Sequence, residues 1–131
     1  MADHPVLLAA QRGLASLSRA LVATQFFLAG AGAFGAASFD AHKAVGAALV
    51  LVVLAGLLVA ALVRRHVAHA AIFLGVTVLQ LVLGTVGTDE PWIGALHGLN
   101  AIAVLGAGGT LAQKAWGRGT PAGAVSETAI P

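Results

Sequence analysis

His42 and His97 each stand at the head of a long apolar run, and each follows a glutamine (Gln25 and Gln80) by the same 17 positions. Ionisable side chains inside a membrane are costly and mark functional sites by default. Two neutral imidazoles presented from opposite sides are also what a b-type haem requires, one nitrogen above and one below a flat macrocycle. On one run His42, Gly46, Leu49, Val53 and Gly56 recur at helical spacing, and on another His97, Ala101, Val104 and Gly108 do the same. Gly46 and Ala101, one turn below each histidine, leave room for a porphyrin plane. Lys43 is the only cation beside the pair and the natural partner of haem carboxylates. Gly32, Gly35, Gly84 and Gly87 let backbones or a cofactor approach closely.

Each of these residues also has a plainer reading. Gln25 and Gln80 either hydrogen-bond between helices, worth about 0.6–2 kcal/mol, or contact a ligand such as a quinone. Asn100 can orient a neighbour, and Thr24 and Thr77 can bond back to their own helix. The histidines themselves can be interhelical hydrogen-bonders, and Gly94 and Gly98 form a small-xxx-small packing pattern.

The elements that must position these residues follow from composition. The chain has 131 residues, 59% apolar and 9% charged, with a mean hydropathy of +0.94. A soluble domain carries roughly 25% charge. This chain lacks the residues for a polar skin and reads as an integral membrane protein whose first partner is the lipid bilayer. A nucleic-acid partner is excluded by the seven basic residues that alone set its high pI. The absence of cysteine excludes disulfides, thiolate zinc, iron–sulfur clusters and covalently attached haem.

Four stretches, Ala20–Ser38, Ala44–Val63, Val67–Gly87 and Trp92–Gln113, are long enough to cross a bilayer, which takes about 20 apolar residues. None contains Asp, Glu, Lys or Arg, which removes the usual groups of a proton-driven transporter. The links Phe39–Lys43, Arg64–His66 and Thr88–Pro91 are short, so neighbours are antiparallel. The fold class expected is all-α, a transmembrane up-down four-helix bundle. Its divisions are a cytoplasmic N-terminal segment (1–19), which extends the first helix or lies along the interface, a transmembrane domain (20–116) and a disordered cytoplasmic tail (117–131). The first apolar run exceeds the 7–15 residues of a signal-peptide core, so it reads as a retained span. His66 and His69 beside Arg64 and Arg65 read as a solvated basic edge, and Trp92 and Trp116 as markers of opposite interfaces.

A shift of 55 residues aligns Gln25 with Gln80, Leu28 with Leu83, Gly32 with Gly87, His42 with His97, and Ala48 with Ala103. Each half then contains two spans in the same order, the pattern of parallel repeats related by an axis along the membrane normal. Such an axis turns the two histidines toward each other at equal depth.

The runs Gln25-Phe26-Phe27-Leu28-Ala29-Gly30, Phe39-Asp40-Ala41-His42-Lys43 with Gly46, and Ala95-Leu96-His97-Gly98-Leu99-Asn100-Ala101 resemble an uncharacterised family of small bacterial four-helix membrane proteins, a domain of unknown function. The histidine placement, with Leu79-Gln80-Leu81-Val82-Leu83-Gly84 before Ala95-Leu96-His97, also resembles one four-helix half of haem A synthase. In that family each half holds a haem through such a pair. This chain has one half, lacks the outer-loop cysteine pair, and has Phe39 where that family uses a catalytic Glu. The resemblance implies haem binding without haem hydroxylation.

The function expected is a b-type haem protein of the bacterial inner membrane, carrying electrons or serving as a respiratory-complex subunit. His42 and His97 are the metal ligands, with Gly46, Ala101, Lys43, Gln25 and Gln80 around the cofactor. One haem at one depth implies a quinone or an outer-face redox partner, and membership of a membrane complex or homo-oligomer. The alternatives are a haem-free accessory protein and a quinone-binding protein. Arg12, Arg19, Arg64, Arg65, Lys114 and Arg118 against Lys43 alone put both termini in the cytoplasm. Reporter domains fused after Arg65 should be active on the cytoplasmic side and those fused after Asp89 on the outer side; the opposite pattern inverts the assignment.

Overall fold

The computed structural model describes residues 4–117, and expectations about the tail beyond Gly117 fall outside the described residues. Four helices follow in order: α1 (Pro5–Ala33), α2 (Phe39–Val63), α3 (Val67–Val86) and α4 (Pro91–Ala115). There is no strand among the described residues. Each helix is long and apolar enough to cross a membrane. Helix α1 packs on α2 and α4, and α3 packs on α2 and α4. The backbones of the diagonal pairs α1–α3 and α2–α4 stay apart among the described residues. The result is the expected up-down bundle, a four-sided ring of antiparallel neighbours.

Local chemistry sets the ends of the helices. Gly35, with φ +71°, closes α1, while the Ala36 N–H reaches back to the Ala31 carbonyl at 2.8 Å and the Gly35 N–H to that of Gly32 at 3.1 Å. This is the paired bonding that stops a helix at a left-handed residue. Ser38 then caps α2, its hydroxyl oxygen accepting the Asp40 N–H at 3.4 Å, with Asp40 in the positive first turn. Phe39–Lys43, expected as a link, is therefore the first turn of α2, and His42 is helical. Pro5 and Pro91 open α1 and α4, where a missing N–H has no consequence. Glu90 occupies the position before Pro91 without a side-chain cap, and the Thr88 hydroxyl donates to the Thr85 carbonyl.

Helix α1 starts at Pro5, well before the expected first span, so Arg12 and Arg19 belong to it. Its 29 residues make a rod of roughly 43 Å, against about 30 Å of hydrocarbon. The excess carries the first turns to the membrane surface. There Gln11 Nε2 donates to the Arg65 carbonyl (3.0 Å) and Arg12 Nε to the Ala115 carbonyl (3.1 Å). The carbonyls past the end of α2 and at the end of α4 thus gain partners they lack within their own helices.

The buried positions follow the 55-residue register. Ala15 and Ala70, Ser18 and Phe73, Val22 and Thr77, and Leu49 and Val104 are matched pairs, and all eight are buried. Large apolar side chains on every helix face outward, among them Phe27, Leu51, Ile72 and Ile102. Apolar exposure on this scale is the surface of a multi-pass membrane protein, which meets lipid rather than water.

At the loop end of the second hairpin the backbones of α3 and α4 nearly touch: a Cβ on Gly87 would lie 2.5 Å from the Gly94 Cα. In the first half the matched pair is Gly32 and Phe39, where a Cβ on Gly32 would meet the Phe39 ring at 2.8 Å. Gly87→Ala should cost roughly 1–3 kcal/mol, the usual penalty of overpacking. Gly106→Ala, with nothing within 4 Å of the new methyl, should cost nothing. Thermal unfolding of the two variants in the same detergent separates them.

Candidate functional site

The chain places polar groups in the loop half of the bundle where lipid offers no partners, so each must be satisfied by another helix. In the first hairpin Nδ1 of His42 donates to the Gln25 carbonyl on α1 at 3.3 Å, and Gln25 Nε2 donates to the His42 carbonyl at 2.9 Å. In the second, His97 Nδ1 donates to the Gln80 carbonyl on α3 at 2.9 Å. A carbonyl only accepts, so both imidazoles carry their proton on Nδ1 and keep the Nε2 lone pair. The expected Gln-to-His spacing thus becomes a bond made twice, once in each half.

One ring and one glutamine amide lie against glycines. A Cβ on Gly84 would come within 2.8 Å of the His97 ring, and one on Gly46 within 3.0 Å of the Gln25 amide nitrogen. From these positions the two imidazoles reach across the bundle, from helices whose backbones stay apart, to a centre-to-centre distance of 6.1 Å with planes at 68°. They border a cleft of about 860 Å³ in the loop half of the ring. All the expected site residues line it: Gln25, His42, Lys43, Gly46, Gln80, His97 and Ala101. Most of the wall is apolar, from Val22, Phe26, Leu49, Leu81 and Val104. The volume lies in the range that holds cofactor-sized ligands.

The two halves differ in their remaining bonds. Gln80 Nε2 donates to His97 Nε2 at 3.1 Å, and Asn100 Nδ2 holds the Gln80 Oε1 at 2.8 Å and the Val76 carbonyl at 2.9 Å. Position 45, the counterpart of Asn100, is Val45, and the buried Oε1 of Gln25 has no hydrogen-bond partner. The glutamines therefore tie hairpins together, as the structural reading of these residues anticipates, while also facing the cleft. Thr24 and Thr77 bond back to the Ala20 and Phe73 carbonyls as expected.

No group of three or more His, Cys, Asp or Glu comes together among the described residues. A bare metal ion has no cage here; two imidazoles suffice only where a macrocycle supplies the remaining donors. Two metal–imidazole bonds of roughly 2 Å, with about 1 Å from each nitrogen to its ring centre, put ring centres roughly 6 Å apart. The observed 6.1 Å between ring centres matches that length, while the His97 Nε2 is turned to the Gln80 amide.

The opposite end of the bundle is closed. Besides the Gln11 and Arg12 bonds, Trp116 Nε1 donates to Ser16 Oγ at 3.2 Å, and the Arg12 guanidinium lies 5.7 Å from the Trp116 ring centre. Gln11 carries one signal in the sequence, a carboxamide ahead of an apolar run. His66 and His69, expected to be solvated, are half-buried with ring centres 6.4 Å apart. Comparison with protein-family models, curated proteins and solved structures finds no match to this chain.

His66 lies in the α2–α3 link, and burial pushes its pKa below the ordinary histidine value. The positive charges of Arg65, His69 and Lys114 act in the same direction, and a hydrogen bond to the Lys114 backbone opposes them. The folded protein therefore binds this proton less well than the unfolded chain. The contribution to stability is complete above about pH 6.5 and is lost as pH falls below that. Melting temperature should drop on acidification from pH 7.5 to 5.5, and His66→Gln should flatten the slope; an unchanged slope contradicts the assignment.

Proposed function

We propose that this chain is a b-type haem protein of the bacterial inner membrane, with His42 and His97 as the axial ligands. The observation that carries the reading is the pair itself: two imidazoles on diagonal helices, their ring centres 6.1 Å apart beside an apolar cleft. Each is fixed by an Nδ1–H bond to a backbone carbonyl, which is how protein ligands are oriented and their tautomer set. Gly46 and Ala101 line the cleft with little or no side chain, and Lys43 lines it as a cation for carboxylates. Haem, when bound, supplies one-electron redox chemistry. The role is electron transfer, alone or as a subunit of a respiratory complex, with a quinone or an outer-face protein as the exchange partner.

Arg12, Arg64, Arg65 and Lys114 lie toward the end opposite the cleft, with Arg19 exposed at the middle of α1, and the four at that end support cytoplasmic termini and an outward-facing site. A haem-free accessory role is the second reading. It is favoured by the Gln80 Nε2 contact on His97 Nε2, which satisfies that imidazole without a metal.

Protein expressed with added haem should show the Soret band of a six-coordinate low-spin b-type haem. His42→Ala and His97→Ala should each abolish the six-coordinate form. His66→Ala and His69→Ala should leave the spectrum unchanged, and Gly46→Leu should lose the pigment by displacing the Gln25 amide and crowding the cleft. A colourless wild-type protein gives the accessory reading its place.

A further inference from the structure

The two histidines are chemically unequal. The Nε2 lone pair of His97 already accepts a hydrogen bond from Gln80, and Gln80 is held in place by Asn100. Among the described residues His42 Nε2 has no such competitor, because Gln25 turns its amide N–H to the His42 carbonyl. The difference traces to one position of the repeat, Asn100 in the second half against Val45 in the first. To ligate a metal, His42 gives up nothing; His97 must first leave Gln80.

We propose that His42 is the permanent ligand and His97 a displaceable one, so that the site admits a small uncharged diatomic molecule on the His97 side. This rests on the haem reading above. In the exchange the incoming carbon or nitrogen lone pair makes the bond to iron and the iron–Nε2 bond of His97 breaks. The released lone pair returns to the Gln80 N–H, with no proton or electron transferred. The cleft suits such a ligand. Its walls are apolar, and Phe26 and Leu81, matched positions of the repeat, are both exposed on the bundle surface while lining it. An uncharged gas dissolved in lipid has an apolar route in. Gln80 and Asn100 act here as positioning residues, through His97.

Carbon monoxide is the probe, added to the dithionite-reduced, haem-loaded full chain and followed by its Soret shift. Wild type should bind it. His97→Ala should retain haem in a five-coordinate high-spin form and bind carbon monoxide more tightly, whereas His42→Ala should come off the column without haem. Gln80→Leu removes the competing N–H but leaves the carbonyl. It should strengthen His97 ligation and weaken carbon monoxide binding roughly fivefold, the weight of one ordinary hydrogen bond. Asn100→Val, which copies the first half, should move affinity in the same direction. The proposal is overturned if reduced wild type ignores carbon monoxide, if His97→Ala is empty while His42→Ala is loaded, or if Gln80→Leu and Asn100→Val both bind as wild type does. A wild-type protein without a Soret band before any gas is added instead refutes the haem reading, and this proposal with it.

Discussion

An imidazole N–H inside a lipid-embedded bundle must find an acceptor within the protein, and here it finds the carbonyl of the glutamine 17 residues earlier. Leaving such a group unpaired in hydrocarbon costs several kcal/mol. The bond accordingly fixes the register of each hairpin, α1 on α2 and α3 on α4. It requires small residues beside it, since a Cβ at Gly84 would strike the His97 ring. It also leaves the proton on Nδ1 and the lone pair on Nε2, so the bond that holds the hairpin together makes the other ring nitrogen an acceptor.

The rest of the architecture follows from making that hairpin twice. Two copies closed into a ring bring α1 to α4 and α2 to α3, while the diagonals stay apart. In the loop half, the centre between diagonals is the cleft. Toward the other end the centre is filled by Phe73 seated against Gly108, with Ala60, Ala70 and Leu111 in the same buried cluster. Side chains of α1 then tie down the terminal carbonyls. Closure at one end lets the other stay open without the bundle losing its shape. Where the copies diverge, at Asn100 and Val45, the chemistry diverges too: one glutamine amide is fully bonded and the other keeps an unpaired oxygen.

The membrane bundle was legible in composition and run length because lipid imposes a blunt requirement on both. The repeat was legible through Gln25, Gln80, His42 and His97 because polar residues stand out against an apolar background. The facing of the two rings followed from that symmetry. The helix ends were less legible. Ser38 and Gly35 move the start of α2 ahead of His42, and hydropathy does not register a cap. The extension of α1 to Pro5 was one of two readings of that segment, left open because Arg12 and Arg19 interrupt the apolar pattern, although one bonds a helix end and both sit on the exposed side. The unequal bonding of the histidines could not be read at all, since it depends on which way two amides turn.

The central claim is that His42 and His97 together hold one haem, and stoichiometry tests it most directly. Purified protein from haem-supplemented cells, denatured in alkaline pyridine and reduced, should give the spectrum of b-type haem at one equivalent per chain. The His42→Ala protein, treated identically, should give none. Wild-type protein that is folded, by its helical circular dichroism, and still carries no haem would contradict the account.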